Sequence, residues 1–209
     1  TRNLGFNSKL IHAGFTREAS GAVVTPIYQS STFAFENAQQ GADRFAGKAE
    51  GYIYTRLGNP TIMALERNLA ELENGFGATA MASGMGAVTT LYMALLGAGR
   101  HVVSTDGVYG PSRLLLEKHL DRFGVEATFV DSSDTEAIRA ALRPNTALVY
   151  VESPSNPAMK VTDIEAAARL EAMKLLNWKL ASAVAAGNLN AADASAAKVG
   201  ATETHIGVY

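Results

Sequence analysis

The chain has 209 residues, enough for one large domain or for one domain with an appendage. Hydrophobic residues make up 47% and charged residues 18%, a balance that is typical of globular chains and unlike disordered or fibrous ones. The net charge of −2 argues against nucleic-acid binding, and the lack of cysteine excludes disulfides, thiolate metal sites and a cysteine nucleophile. No run of about 20 apolar residues occurs, so we expect no membrane-spanning helix, and the cytoplasm is the default location.

Residues 1–58 form the first segment, and they show no long periodic pattern. They nevertheless contain more apolar and aromatic groups than a solvated tail would carry. We interpret them as an N-terminal arm that packs on another surface, such as a second subunit. The groups that indicate this are Phe6, Ile11, Phe15, Ile27, Tyr28, Phe33, Phe35, Tyr52 and Tyr54.

Residues 59–165 alternate between strand-like and helix-like patterns. Asn59 followed by Pro60 predicts a helix N-terminus, and Asn74-Gly75 predicts its end. Short β-rich apolar runs between amphipathic helices predict βα units and a parallel sheet, hence an α/β fold. The predicted strands are 78–82, 101–105, 127–130 and 147–151, and the further predicted helices are 84–96, 111–123 and 134–142.

Ligands of parallel sheets gather where the strands have their carboxyl ends. This rule directs attention to the loops at Ser83–Gly86, Asp106–Gly110 and Glu152–Asn156. In the first loop, Gly84 and Met85 follow Ser83 at a predicted helix N-terminus, where backbone N–H groups and the helix dipole favour an anion such as phosphate.

The same glycine-rich turn allows a dinucleotide-binding alternative. Gly84 and Gly86 match half of the dinucleotide fingerprint, and Asp106 lies where a ribose-binding acid would stand. The third glycine of that fingerprint is missing, because position 89 is Thr89.

Four further side chains are candidates for binding a flat, phosphorylated cofactor. Arg56 offers a planar fork for phosphate oxygens, and Tyr54 offers a phenolic donor. Tyr109 follows a predicted strand and could stack on a flat ring, and Asn156 is an amide held between two prolines. Taken singly, each is at least as well explained by a surface turn, a core or rim tyrosine or a proline-rich loop.

Together, these motifs resemble one family of pyridoxal-phosphate (PLP) enzymes, that of cystathionine γ-synthase, methionine γ-lyase and O-acylhomoserine sulfhydrylase. The resemblance covers about residues 1–168 and is carried by the runs 52–61, 80–87 and 149–164, with the opening runs 6–14 and 26–33. It implies an incomplete PLP-transferase-like fold of type I with the N-terminal arm in front. The Tyr-x-Arg-x-x-Asn-Pro-Thr run is the most specific part.

The resemblance implies a role for each matched residue. Tyr54 and Arg56 would hold the cofactor phosphate of a neighbouring subunit, so that the site is shared in a homodimer or homotetramer. Gly84 and Met85, with Ser83 beside them, would bind the phosphate in their own subunit. The ring contacts are assigned to three further residues: Tyr109 would stack on the ring and move protons, Asn156 would bond its phenolic oxygen, and Glu152 would support Asn156.

Two groups that PLP chemistry needs are not securely present: a lysine amine that forms the Schiff base and an aspartate that keeps the pyridine nitrogen protonated. The family's Asp-Asn-Thr run is absent. Lys198, in the run Ser195–Lys198, matches the shape of the lysine motif, but an alanine-rich stretch produces such matches easily by chance. Asp163 and Asp193 are poorly placed for the ring nitrogen.

The segment 166–209 is read as a helical tail of different origin. Part of it, 169–205, resembles the C-terminal helical bundle of acyl-CoA dehydrogenases through the runs 175–179 and 191–198. We therefore expect an impaired PLP-dependent carbon–sulfur lyase or γ-replacement enzyme acting on a sulfur amino acid. The alternatives are a non-catalytic PLP-binding or dimerising fragment and the dinucleotide-binding domain.

Overall fold

The computed structural model describes residues 4–15 and 21–170, and the chain divides into two compact units, Thr1–Ala82 and Ser83–Tyr209. The first unit contains three helices: α1 (Phe6–His12), α2 (Ala38–Phe45) and α3 (Pro60–Leu72). None of the helices in the described ranges combines the length and the apolar character needed to cross a membrane.

Helix α3 begins and ends as its sequence predicts. The side chain of Asn59 accepts a hydrogen bond from the Thr61 N–H at 2.9 Å, and Pro60 occupies the first turn, where its missing N–H costs nothing. After the helix, Asn74 adopts a left-handed conformation with φ 52°. Asparagine tolerates this conformation, which turns the chain away from the helix axis.

The arm is fastened to the segment that precedes α3. The Phe33 N–H donates to the Ile53 carbonyl at 3.1 Å, and the Thr55 N–H donates to the Ser31 carbonyl at 2.9 Å. These bonds flank an antiparallel bridge between Thr32 and Tyr54. The run that carries Tyr54 is therefore held at its backbone, while the Tyr54 side chain is exposed.

The second unit is built around a small parallel sheet. Its elements are α4 (Gly84–Leu95), β1 (His101–Thr105), α5 (Gly110–Leu114), β2 (Glu126–Val130), α6 (Thr135–Ala141) and β3 (Thr146–Tyr150). A π-helical turn, Leu115–Leu120, and a 3-10 turn, Asp121–Phe123, extend α5. The strand order is β2-β1-β3, and both pairings are parallel, so the predicted α/β class is confirmed.

Strand β1 is the centre of the sheet and is buried along its whole length. On one face, Tyr92 of α4, Val102 and Leu116 belong to one apolar cluster. A second cluster joins Val103 and Ile138 to residues of the helical stretch 164–170. β1 is thus covered on both faces although His101, Ser104 and Thr105 are polar, and the His101 ring is hydrogen-bonded to Thr146 and Thr128.

The predicted strand at 78–82 is wrong, because residues 77–82 form no strand in the structure. The Ala80 N–H donates to the Glu66 carboxylate at 2.8 Å and not to a backbone carbonyl of a neighbouring strand. An apolar run becomes a strand only where another strand offers its backbone for pairing. The predicted divisions at residues 58 and 165 stay predictions, and the tail from residue 171 onward lies outside the described residues.

Candidate functional site

The loops that follow β1 and β3 are joined at the carboxyl end of the sheet. The Asn156 N–H donates to the Gly107 carbonyl at 3.2 Å. A Cβ atom at Gly107 would lie 3.2 Å from the Cβ of Ser155, so only glycine permits this approach without a shift. In the same place, the Tyr109 N–H donates to the Glu152 carboxylate at 2.9 Å. Two loops predicted to carry site residues therefore form one surface.

The tip of α4 has the geometry of an anion site. The Ser83 hydroxyl accepts the Gly86 N–H at 3.0 Å and the Ser83 carbonyl accepts the Ala87 N–H, so two donors are already satisfied. The N–H groups of Gly84 and Met85 have no partner in their helix, as the first amides of a helix never do. A Cβ at Gly84 would meet no heavy atom within 4 Å, so the space at this point of the helix tip is open.

Ser112 ties this helix tip to the turn that carries Tyr109. The buried Ser112 hydroxyl donates to the Met85 sulfur at 3.6 Å, and the Ser112 N–H donates to the Tyr109 carbonyl at 2.9 Å. Tyr109 is the N-cap residue of α5, and its side chain is 50% exposed. Its ring therefore offers an open face in the same region as the free amides.

Arg113 was not singled out from the sequence, yet it helps to hold the β1 loop. Its Nη1 donates to the Asp106 carbonyl at 2.9 Å, and its Nε donates to Glu117 at 2.8 Å. Its guanidinium carbon lies 4.2 Å from the centroid of the Phe129 ring. The sequence gave no signal for this role of Arg113, because its partners lie in three separate elements and Arg113 looks like any other charged residue on a helix face.

Tyr92, which is buried, and Tyr150, which is partly buried, are kept in their neutral form near Glu152. Burial raises the pKa of Tyr92, and the neighbouring Tyr150 and the Glu152 carboxylate raise it further. Burial likewise raises the pKa of Tyr150, with a further contribution from Glu152. Their rings meet edge to face with centroids 5.2 Å apart. The pair of tyrosine rings near Glu152 is therefore uncharged.

Lys160 and Asp131 form an ion pair. Lys160 donates to Asp131, and Ser133 gives the same carboxylate two further hydrogen bonds. These bonds, led by the one from Lys160, lower the pKa of Asp131 to about 2, and the pairing raises the pKa of Lys160. Lys160 is therefore held as an ammonium ion and is a poor amine nucleophile in this state.

Tyr54 and Arg56 lie in the first unit. The Arg56 guanidinium carbon stands 5.2 Å from the Tyr54 ring centroid, and both side chains are exposed. The Leu57 and Gly58 amides fold back onto the Tyr54 carbonyl at 2.8 and 3.1 Å, which shapes the turn between them. The pair presents a cation and a phenol on one surface, without an ion pair for Arg56 among the described residues.

Asn156, Lys198 and Asp193 are the remaining candidate residues. Asn156 has an exposed side chain and lies between the cis peptide bonds Ser153-Pro154 and Asn156-Pro157. Lys198 and Asp193 lie outside the described residues. Across the described part of the chain, no three His, Asp or Glu side chains gather in a way that could hold a metal ion.

Comparison with known proteins decides the family. The model of the Cys/Met metabolism PLP-dependent enzymes matches residues 7–180. The chain belongs to this family. A second model, the C-terminal domain of acyl-CoA dehydrogenases, matches residues 154–209 and overlaps the first over 154–180. Both resemblances found in the sequence are thus confirmed.

Relatives of this PLP-dependent family are similar over four fifths of the chain or slightly less. L-methionine gamma-lyase of Treponema denticola is 51% identical over 167 residues, covering 80% of this chain and 42% of the relative. Cystathionine gamma-lyase of Bacillus subtilis is 46% identical over 156 residues, covering 74% and 39%. The chain therefore spans half the length or less of these curated relatives.

A solved structure extends the comparison to the fold. The O-acetylhomoserine (thiol)-lyase structure from Campylobacter jejuni, described as putative, matches with a TM-score of 0.77 and 31% identity, covering 82% of this chain and 42% of that one. That structure carries N'-pyridoxyl-lysine-5'-monophosphate.

The donors in the second unit suit the family's cofactor. Two free amides at a helix tip match the oxygens of a phosphate ester, and the open space at Gly84 admits it. The exposed Tyr109 ring and the exposed Asn156 amide provide a flat face and a hydrogen-bonding group for an aromatic ring.

Proposed function

We propose that this chain carries the phosphate-binding and ring-binding part of a carbon–sulfur lyase or γ-replacement enzyme that acts on sulfur amino acids. The observation that carries the proposal is the tip of α4, where the Gly84 and Met85 amides have no hydrogen-bond partner within their helix and the space at the Gly84 Cβ position is open among the described residues. The names of the relatives give the reaction class: methionine gamma-lyase, cystathionine gamma-lyase and O-acetylhomoserine (thiol)-lyase.

Within this proposal, each part of the chain has one task. The Gly84 and Met85 amides bind the phosphate, while the Tyr109 ring lies against the cofactor ring and its phenol moves a proton. Asn156 donates to the phenolic oxygen of the cofactor. PLP, when bound, supplies an electron-accepting ring and a carbon that condenses with amino groups.

Tyr54 and Arg56 are assigned to a neighbouring subunit. Arg56 is exposed, and its planar guanidinium suits two phosphate oxygens at once. A homodimer or homotetramer would then combine the helix tip of one chain with the arginine of another. The cytoplasmic location stays a prediction alongside this assembly.

We further propose that this chain by itself turns over slowly or not at all. Lys160 is paired with Asp131, and Lys198 stands in an alanine-rich stretch that matches the family's lysine motif only loosely. Without an amine at the right place, the chain would hold the cofactor without a covalent bond, which is the non-catalytic alternative raised by the sequence. The family membership favours this reading over a dinucleotide-binding domain.

The test compares Gly84→Pro with Gly84→Ala in a PLP titration of the purified chain. Proline fits the first helical position after the extended Ser83 and removes one N–H, whereas alanine keeps the N–H and places its Cβ in open space. A lost charge-assisted hydrogen bond weakens binding about 10- to 100-fold, so Gly84→Pro should bind PLP more weakly than Gly84→Ala by that factor, because both variants carry a Cβ at this place and only proline lacks the N–H.

The same samples are then treated with borohydride, and the protein is mapped by mass spectrometry. We expect the cofactor to dialyse away, which indicates binding without covalent attachment. Attachment to Lys198, together with release of a thiol and a 2-oxo acid, would overturn the proposed impairment. Equal affinity of the proline and alanine variants would overturn the phosphate site itself.

A further inference from the structure

Three buried hydroxyl groups form a chain at the carboxyl end of the sheet. Thr105 closes β1, Ser132 follows β2, and Thr162 lies beyond the β3 loop; they are 2%, 3% and 4% exposed. The Thr105 hydroxyl donates to the Ser132 oxygen at 3.0 Å, and the Ser132 and Thr162 oxygens are 2.6 Å apart. These hydroxyls thus link the end of β1 to the segments that follow β2 and β3.

Both ends of the hydroxyl chain terminate on the loop after β3. The Thr105 oxygen accepts the Glu152 N–H at 3.1 Å. At the other end, the Thr162 N–H donates to the Ser153 hydroxyl at 3.0 Å. Since Glu152 and Ser153 are consecutive, the bonds close a ring around this point of the backbone.

The position of Glu152 matters because its carboxylate holds Tyr109. That carboxylate accepts the Tyr109 N–H at 2.9 Å, and no other hydrogen bond orients the Glu152 side chain among the described residues. The Tyr109 ring is half exposed, so its position depends on the position of its own backbone. A shift of the Glu152 backbone would therefore move its carboxylate and displace the Tyr109 backbone with it.

We propose that Thr105, Ser132 and Thr162 are positioning residues that hold the Glu152 carboxylate on the Tyr109 amide and thereby set the place of the Tyr109 ring. The part of this inference that concerns the cofactor rests on the proposed function. The part that concerns the bond between Glu152 and Tyr109 is independent of it. If the three hydroxyls served only to satisfy buried polar groups, removing one of them would leave Tyr109 unaffected.

The experiment compares Thr105→Val with Thr105→Ser in the cofactor-free chain. Valine keeps the branched shape and removes the hydroxyl, whereas serine keeps the hydroxyl and removes a methyl group. The readout is the pH-dependent change in the NMR shift of the Tyr109 amide proton on acidification, because that proton is donated to a carboxylate. A hydrogen bond weakens steeply with distance and angle, so in Thr105→Val this pH-dependent change should fall to less than about half.

Thr105→Ser should retain the full pH-dependent change, and the amide of Val102 inside β1 should keep its exchange protection in both variants. That control separates a moved bond from a loosened sheet. If the valine variant does not fold, Thr162→Val against Thr162→Ser tests the far end of the chain, and Ser132→Ala tests its centre. An unchanged Tyr109 response in a folded variant without the hydroxyl would overturn the proposal.

A second arm adds PLP and records its induced circular dichroism at saturation. The bound ring should give an altered band in the valine variant and the native band in the serine variant, because the ring face depends on Tyr109. If the unsubstituted chain binds no PLP, the proposed function fails, while the amide measurement still decides the inference about Glu152 and Tyr109.

Discussion

Asn59 shows how one side chain can hold two segments of the chain together. Its amide nitrogen donates to the Tyr28 carbonyl at 2.9 Å and to the Thr55 hydroxyl at 3.1 Å, while its oxygen caps α3 through Thr61. The residue is only 3% exposed, so each of these groups would be costly to leave unpaired. The sequence predicted the cap, but the two donated bonds depend on where the arm lies.

Asn59→Asp should destabilise the chain although aspartate is an equally good N-cap residue. The carboxylate can still accept from Thr61 but cannot donate to the Tyr28 carbonyl, and we expect a loss of about 1–3 kcal/mol in the free energy of unfolding. The control is Asn37→Asp, because Asn37 is an exposed cap that only accepts, from Gln40. Chemical denaturation of both variants is the measurement, and equal effects would refute the argument.

At the scale of elements, the chain packs on α3 just beyond the end of α1 through a residue that has no side chain. A Cβ at the buried Gly14 would lie 2.0 Å from the Ala64 carbonyl oxygen, which belongs to the backbone of α3 and cannot move away alone. The Asn68 amide donates to the Leu10 carbonyl at 3.2 Å and fixes the same approach. Close contact between these helices therefore requires glycine at this position.

Gly14→Ala should separate the two helices and lower the free energy of unfolding by about 1–3 kcal/mol, as overpacking does. Gly5→Ala is the matched control, since a Cβ at Gly5 meets nothing within 4 Å, and its effect should stay within about 0.5 kcal/mol. Thermal and chemical denaturation measure both variants. A Gly14→Ala protein as stable as the control would show that α1 does not pack on α3 in solution.

At the scale of the whole molecule, the first unit leaves many large apolar side chains in contact with solvent. Examples are Phe6, Ile11, Val23 and Ile27, the last of which is 84% exposed. Such a density of exposed apolar groups is typical of a surface that meets another protein. This agrees with the interpretation of the arm and with the proposed assembly of several chains.

Ile27→Asn should therefore weaken self-association of the chain. Burying one isoleucine contributes about 1.5–3 kcal/mol, so we expect the association constant to fall about tenfold or more. Phe123→Asn is the control, because Phe123 is 71% exposed but belongs to the second unit. Sedimentation velocity over a range of concentrations gives both constants, and a monomeric unsubstituted chain would contradict the prediction.

The sequence by itself determined the features that depend on local chemistry: the cap and first turn of α3, the helix at 84–95, the three parallel strands and the loops at their carboxyl ends. Those features follow from side-chain periodicity and from residues with special backbone preferences, which act over a few positions. The family motifs were likewise legible because they are runs of consecutive residues.

The tertiary structure decided whatever depends on a distant partner. Residues 78–82 have the composition of a strand but bond through Ala80 to a glutamate, and the Glu152 carboxylate accepts the Tyr109 N–H, a bond that the sequence did not indicate. Single threonines and serines have no pattern of their own, so Thr105, Ser132 and Thr162 gave no signal. Their chain exists only because the sheet order β2-β1-β3 brings three separated segments to one edge.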